Sequence, residues 1–490
     1  MAGTKDEASP LHVVAFPWLA FGHMFPYLEL SKRLARRGHA VTFVSTPRNA
    51  ARLGAVPPEL SARLRVVALD LPEVEGLPDG AESTADVPPE KVALLKKAFD
   101  GLTAPFAELV AEACAAAAGG EGAAFSRKPD WIVLDFAQNW VLPIAEEYEI
   151  QCAIFVVVSG AFLAFTGPQN ENEAHPRTTT EDYMVPPPWI PSPSTMAYRR
   201  HEAEWIAAGF RPNAAGVSDM DRFWEMERRP CCRLIFLRSC PEAEPPLFPL
   251  LTDLFAKPVV PAGLLLPDAA AADEADGACL TSDDEPTSAA MRWLDAQPQR
   301  SVIYVALGSE APASAGHVRE LALGLELSGA RFLWALRLPA GGHRSGDPLL
   351  PDGFERRVAG RGVVCTGWVP QARVLAHAAV GAFLTHCGWG STAEGLFRCG
   401  LPLVMLPFVL DQGLNARAAA ARGLGVEVER DGDGGWFRGE DVAAAVRRVM
   451  VEEEGEALAR NAREVQKVVG DRGRQEGYVD ELVEHLQRCK

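Results

Sequence analysis

The chain predicts an α/β protein with parallel sheets in two domains, and three observations predict it. Short apolar runs of strand type alternate with helical stretches at the spacing of βαβ units. That alternation breaks at residues 267–288, PDAAAADEADGACLTSDDEPTS, where alanines and acids replace large apolar residues, and then restarts. The 490 residues also exceed the size at which a single core stops growing. The expected division is an N-terminal domain over 1–262 and an acidic linker over 263–290. A C-terminal domain over 291–470 follows, with a closing helix over 471–490 that packs back on the first domain.

Taken in order, residues 12–18 (HVVAFPW) read as a buried strand, 26–37 as a helix ended by Gly38, and 39–46 (HAVTFVST) as the next strand. Ligands of such units bind beyond the carboxyl ends of the strands, which gives His23, in the first strand-to-helix loop, a functional address. A loop histidine bonded to a backbone carbonyl is the equally weighted structural reading. Residues 57–89 read as a solvated connection rich in turn formers, and 91–118 as helical. Residues 131–136 (WIVLDF) form a strand that ends on Asp135. An acid there caps a helix beginning near Asn139 or partners a catalytic histidine, and the residues alone favour the cap. The strand 152–158 leads into Ser159 and the apolar run that holds Phe162.

Residues 166–230 carry little periodicity. The prolines of MVPPPWIPSP exclude regular helix, and Trp189, Tyr198, Trp205, Phe210 and Trp224 either line an apolar pocket or pack an excursion against the domain. After the acidic stretch, strands are expected at 301–309, 331–337, 362–368, 380–385, 402–408 and 425–429, interleaved with helices, as in a second parallel sheet. The most informative stretch, 368–412, begins at the end of the third of these strands and contains the fourth and fifth. Its apolar run VGAFLT is followed by the glycine turn HCGWG and then by Ser391 with Glu394, a capping-box spacing. A glycine turn feeding a helix start suits a pyrophosphate.

The net charge of −17 argues against nucleic acid or an anionic membrane as partner. Ten cysteines include no C-x-x-C, and the adjacent Cys231 and Cys232 fit neither a disulfide framework nor a zinc site, so no metal is expected. The start MAGTKDEASPLH lacks a secretory pattern and no apolar run approaches ~20 residues, so a cytoplasmic protein without stable membrane insertion is expected. Walker, nucleophile-elbow, zincin and G-x-G-x-x-G signatures are absent, which weakens an NTPase, serine hydrolase, zinc protease or dinucleotide dehydrogenase. What remains is group transfer from a nucleotide-carried donor, with an anion pocket in one domain and a histidine in the other.

The stretch 368–412 resembles the donor-binding signature of plant family 1 UDP-dependent glycosyltransferases, matching it at Trp368, Pro370, Gln371, His386, Gly388, Trp389, Ser391, Glu394, Pro402, Pro407, Asp411 and Gln412. Blocks such as PWLAFGHMFPYLELSKRLARRGH and VPPPWIPSPS extend the likeness over nearly the whole chain, toward the subgroup that adds a sugar to the sugar of an existing glycoside, steviol-type diterpenoid glycosides included. The resemblance implies a GT-B fold, two Rossmann-like domains facing across a cleft, an inverting reaction, UDP-glucose as donor, no cofactor, a monomer, and a small glycoside or aglycone as acceptor. It further implies that Trp368 stacks on uracil and that Glu394, beside Gln371, bonds the ribose. His386, Ser391, the Gly390 backbone and Ser309 would hold the pyrophosphate, and Asp411 and Gln412, beside Trp389, the sugar hydroxyls. His23 would be the general base and Asp135 its partner, with Phe21, Phe25, Trp140, Ser159, Phe162 and Trp189 around the acceptor.

Two departures stand out: Gly390 replaces the usual Asn, and one extra residue separates Glu394 from Gly400, which predicts a helix that ends differently. Two other readings are open: a nucleotide-sugar 2-epimerase of the same architecture, and a non-catalytic UDP-sugar binder.

Overall fold

In a computed structural model, the described residues are 9–118, 125, 127–266, 285–308, 311–337, 349–366, 369–432 and 434–490. The first sheet contains β1 (His12–Phe16), β2 (Ala40–Ser45), β3 (Leu64–Ala68), β4 (Trp131–Leu134), β5 (Gln151–Val156), β6 (Cys232–Leu237) and β7 (Val259–Pro261). Its order is β3-β2-β1-β4-β5-β6-β7, and every pairing is parallel. The second sheet contains β8 (Val302–Ala306), β9 (Arg331–Ala335), β10 (Gly362–Cys365), β11 (Val380–Thr385), β12 (Leu403–Met405) and β13 (Gly425–Glu427). Its order, β10-β9-β8-β11-β12-β13, is again wholly parallel.

Successive strand residues feed opposite cores. Val14 and Phe16 of β1 join one apolar cluster while Val13 and Ala15 join the cluster on the other face. In β11, Phe383 and its neighbours Ala382 and Leu384 divide in the same way. Burial on both faces explains why these strands read as continuous apolar runs. β3 escapes that pattern: it is a half-exposed edge strand containing Arg65, inside the stretch expected to be a loop. β7, also at an edge, is three residues long.

Of the expected linker, residues 267–284 lie outside the described ones, and the helix Glu285–Asp295 starts within its range. The last helix, Arg472–Arg488, buries Val479, Leu482, Val483 and Leu486 against the cluster that holds Val13 and Ala15. Each such side chain contributes about 1.5–3 kcal/mol. The Trp131 indole N–H donates to the Leu486 carbonyl at 3.0 Å, and Arg37 pairs with Glu476 and Asp480. The chain's end is thereby tied to the first sheet. Among the described residues no helix is long and apolar enough to cross a membrane.

Candidate active site

Each sheet reverses its strand order at one place, between β1 and β4 in the first and between β8 and β11 in the second. The crevice beyond the carboxyl ends of the strands at such a point is where α/β sheets take ligands. The site residues collect at both.

At the first crevice, the helix Phe21–Arg36 begins right after β1, so His23 sits in its first turn rather than in a loop. Asp135 is the residue immediately after β4, and its Oδ2 lies 2.7 Å from His23 Nδ1. The carboxylate also accepts the backbone N–H groups of Trp18 at 3.0 Å and Phe136 at 2.8 Å. Gln138 locks this arrangement, accepting from Asp135 N and donating to the Phe16 carbonyl. The cap favoured from the residues alone is therefore not formed: the short turn Asn139–Val141 has Gln138 at its cap position, and Asp135 serves the histidine. With Nδ1–H donated to a fixed carboxylate, the neutral ring carries its lone pair at Nε2, the tautomer of a general base. The His23 side chain is 19% exposed against 4% for Asp135, so the ring edge reaches the crevice while its partner is shielded.

At the second crevice, Gly308 follows β8 with φ +73°, and a Cβ there would stand 2.7 Å from the His386 ring. A Cβ on Gly388 would stand 2.6 Å from the same ring, so both glycines are required by close approach to one imidazole. His386 is buried, its Nδ1 has no hydrogen-bond partner among the described residues, and burial lowers its pKa to about 4. It is a neutral ring with an unspent polar atom. Between it and Gly388, Cys387 holds φ +65°, a left-handed residue that turns the strand sharply into the helix.

That helix starts at Trp389 with Gly388 at the cap position and no side-chain cap bond, so the expected Ser391–Glu394 capping box is absent. Glu394 instead accepts from the Gln371 side chain at 2.7 Å, bringing together two residues implied to bind the donor. In the interval that carries the extra residue, Ala393–Arg398 forms a π turn with Cys399 N–H bonding to the Glu394 carbonyl. π turns take up one residue within a helix and favour functional positions. Ser309 and Trp368 lie outside the described residues.

The two crevices meet through buried side chains. Asp411 and Gln412 open the helix Gln412–Ala421; Gln412 accepts from the Phe408 and Val409 amides, and Asp411 accepts from Asn415 and, across the domains, from Ser159 N–H at 3.4 Å. Burial raises the Asp411 pKa from 3.8 to about 6. The Trp389 indole N–H donates to the Arg238 carbonyl at the end of β6. Arg417 pairs at 2.7 Å with the fully buried Glu202 of the helix Arg200–Gly209, so part of the 166–230 stretch clasps the second domain. Arg238, Glu202 and Arg417 carry no sequence signal, because their partners lie far away in the chain. The same holds for Glu244, which accepts both the Gly160 and Ala161 amides.

The implied acceptor residues divide. Phe21 stacks on Phe25, which is 50% exposed, the two lying two residues to either side of His23 in the same helix. Phe136 lies 5.8 Å from the His23 ring, and Phe162 is half-buried in the first turn of the helix Gly160–Thr166. Ser159 caps that helix and is fully buried. Trp140 packs edge-on against Phe16, Phe99 and Phe106. Trp189 donates to the Ala164 carbonyl and lies under Arg177, whose guanidinium also covers Phe165, Tyr183 and Phe210. Its ring is committed to packing the excursion.

Cys152, Cys231 and Cys232, unremarkable in sequence, bring their sulfurs within 4.8 Å of one another at the amino ends of β5 and β6, the end opposite the site. A surface hollow of ≈ 380 Å³ lined by Gln169, Asp221, Glu225, Arg228 and Arg229 likewise contains none of the site residues.

Two wholly parallel sheets, each with a histidine at its switch-point crevice, form the two Rossmann-like domains of the GT-B fold. Residues 264–471 match the family model "UDP-glucoronosyl and UDP-glucosyl transferase". The chain is 41% identical to UDP-glycosyltransferase 91C1 of Arabidopsis thaliana, covering 99% of this chain and 98% of that protein. It is 36% identical to the soyasaponin III rhamnosyltransferase of Glycine max, covering 99% and 97%. Among solved structures it is similar to a UDP-glucosyltransferase from Polygonum tinctorium capable of glucosylating indoxyl, with TM-score 0.74, 25% identity and coverage of 99% and 100%. The chain belongs to the plant UDP-glycosyltransferase family, and it is a transferase acting with a UDP-sugar donor. The 2-epimerase alternative has no support in these comparisons.

Proposed function

We propose that this enzyme transfers glucose from UDP-glucose, with inversion, to a sugar hydroxyl of a small apolar glycoside. The observation that carries the reading is the 2.7 Å His23–Asp135 pair at one switch point, together with a glycine-cradled neutral imidazole at the other. His23 Nε2 takes the proton of the acceptor hydroxyl as that oxygen bonds to the anomeric carbon. The bond from that carbon to the diphosphate oxygen breaks, and its electron pair leaves with UDP. Asp135 stabilises the imidazolium, and direct displacement turns an α-linked donor into a β-linked product. His386 and the amides of the helix start receive the leaving diphosphate, while Asp411 and Gln412 bond the sugar hydroxyls.

The exposed Phe25 with Phe21, Phe136 and Phe162 offers apolar surface beside the base for an aglycone. The Glycine max relative, named for rhamnosyl transfer to a soyasaponin, supports transfer onto a molecule that already bears sugar, and makes UDP-rhamnose the competing donor. Work as a monomer in the cytoplasm is part of the reading, and the nine described cysteines, all unpaired, support a reducing compartment.

The test is a matrix of UDP-glucose and UDP-rhamnose against paired glycosides and aglycones, diterpenoid glycosides among them, with the product linkage read by NMR. A β-linked glucose on the sugar of a glycoside is expected. Reaction with aglycones alone would overturn the branching reading, and rhamnose transfer without glucose transfer would overturn the donor.

A further inference from the structure

Gly390 removes the side chain that the resembling family places at the first turn of the donor helix, and the structure fills the gap from the other domain. A Cβ at position 390 would stand 3.3 Å from Arg238 Nη1. Arg238 is 6% exposed at the end of β6, where its Nε donates to the Leu264 carbonyl at 2.9 Å. Neither of its Nη groups has a protein acceptor among the described residues. The Trp389 indole N–H holds the Arg238 carbonyl, fixing the arginine backbone against the helix start.

A guanidinium so deeply buried without a carboxylate partner is costly unless an anion completes it. Burial lowers its pKa only to about 10, so it is charged at neutral pH, and Glu394, Glu29 and Arg33 are the charged groups that act on it. In the turn that leads into the same helix, His386 packs against Gly388 and its Nδ1 has no hydrogen-bond partner among the described residues. A buried guanidinium of the first sheet's side and an unpartnered imidazole nitrogen of the second thus flank the start of one helix, the first at Gly390 and the second at Gly388.

We propose that Arg238 is a donor-binding residue: its guanidinium reaches across the domain boundary beside Gly390 and bonds the diphosphate of the UDP-sugar, in place of a side chain at 390. The proposal rests on the donor reading above. A planar guanidinium matches phosphate oxygens in pairs and neutralises the charge that the leaving diphosphate gains. A glycine at 390 is then required, because a larger residue would displace the guanidinium.

Calorimetric titration with UDP and with uridine, which lacks the diphosphate, tests it. Arg238→Gln should weaken UDP by about tenfold or more and leave uridine unchanged. Arg238→Lys, which keeps the charge, should lose less. Gly390→Asn should weaken UDP in the native background yet restore part of its binding when combined with Arg238→Gln. An equal loss of UDP and uridine in both arginine variants, or undiminished UDP binding in Arg238→Gln, would overturn the proposal. Native protein that fails to bind UDP at all would instead overturn the donor reading beneath it. Thermal melting of each variant separates loss of affinity from loss of fold.

Discussion

The two sheets share one topology and use it for opposite electrostatics. At the β1/β4 crevice a histidine is coupled to a carboxylate held by two backbone N–H groups, an arrangement that stabilises positive charge on the ring. At the β8/β11 crevice a histidine is pressed between Gly308 and Gly388, away from any carboxylate bond, and burial keeps it neutral. The same side chain becomes a proton acceptor in one place and a neutral hydrogen-bonding ligand in the other. The strand-end residue across from it makes the difference: Asp135 after β4, Gly308 after β8.

Removing the base should break this comparison most severely. His23→Ala is expected to lower transfer about 10²–10⁴-fold while UDP affinity stays within about twofold. Steady-state kinetics beside UDP titration checks it, and full-rate transfer would sink the assignment of His23. Asp135→Asn should follow with a smaller loss, since the ring keeps its position but not the charge that stabilises its protonated form.

The glycine cradle comes next. Gly308→Ala adds a Cβ 2.7 Å from the His386 ring at φ +73°, and should weaken UDP about tenfold or more. Gly38→Ala is the control: its φ of +90° imposes similar backbone strain, but nothing lies within 4 Å of the new carbon. It should lower stability by about 1–2 kcal/mol and leave UDP binding unchanged. Equal UDP affinities in the two variants would show that the close approach to His386 does not matter.

The buried groups of the donor side also predict opposite pH dependences of stability in the ligand-free enzyme. Asp411 has a folded pKa near 6 against 3.8 for a free aspartate side chain, so the folded state holds its proton longer and stability falls as pH rises from about 4 to 6. His386 has a folded pKa near 4 against 6.5, so the unfolded state binds the proton first and stability falls as pH drops from about 6.5 to 4. Urea denaturation across pH 4–8 should show Asp411→Asn gaining stability relative to native as pH rises, by on the order of 2–3 kcal/mol. His386→Asn should gain relative to native as pH falls. Parallel curves would remove both assignments.

The smallest effect lies at the far ends of β5 and β6. The neighbouring sulfurs of Cys152 and Cys232 lower the pKa of Cys231, the half-buried member of the cluster, whose Sγ lies 3.8 Å from the Glu146 carboxylate. It should be the first thiol alkylated by iodoacetamide at neutral pH, as mass spectrometry would show, with transfer activity unaffected.

Much of this was legible before any coordinates. The buried strands of both sheets announce themselves because parallel strands bury both faces and read as unbroken apolar runs; β3, an edge strand containing Arg65, does not. The donor stretch was legible because its residues lie close together in the chain. Its internal geometry was not: the Ser391–Glu394 spacing suggests a capping box, yet the helix starts two residues earlier and Glu394 turns to Gln371. The extra residue before Gly400 suggests a changed helix end; the structure places a π turn, Ala393–Arg398, in that interval, which no residue spacing announces.

The sequence by itself determined the two-sheet architecture, the donor signature and the address of His23, since strand periodicity and contiguous motifs are local properties. Only the tertiary structure decided that Asp135 serves His23 rather than a helix, that Trp189 packs beneath Arg177, and that Arg238 stands where Gly390 has no side chain. Each of those is a contact between residues distant in the chain. What selects the partner is how the fold sets strand ends, the 166–230 excursion and the two sheets against one another, and no spacing in the sequence records that.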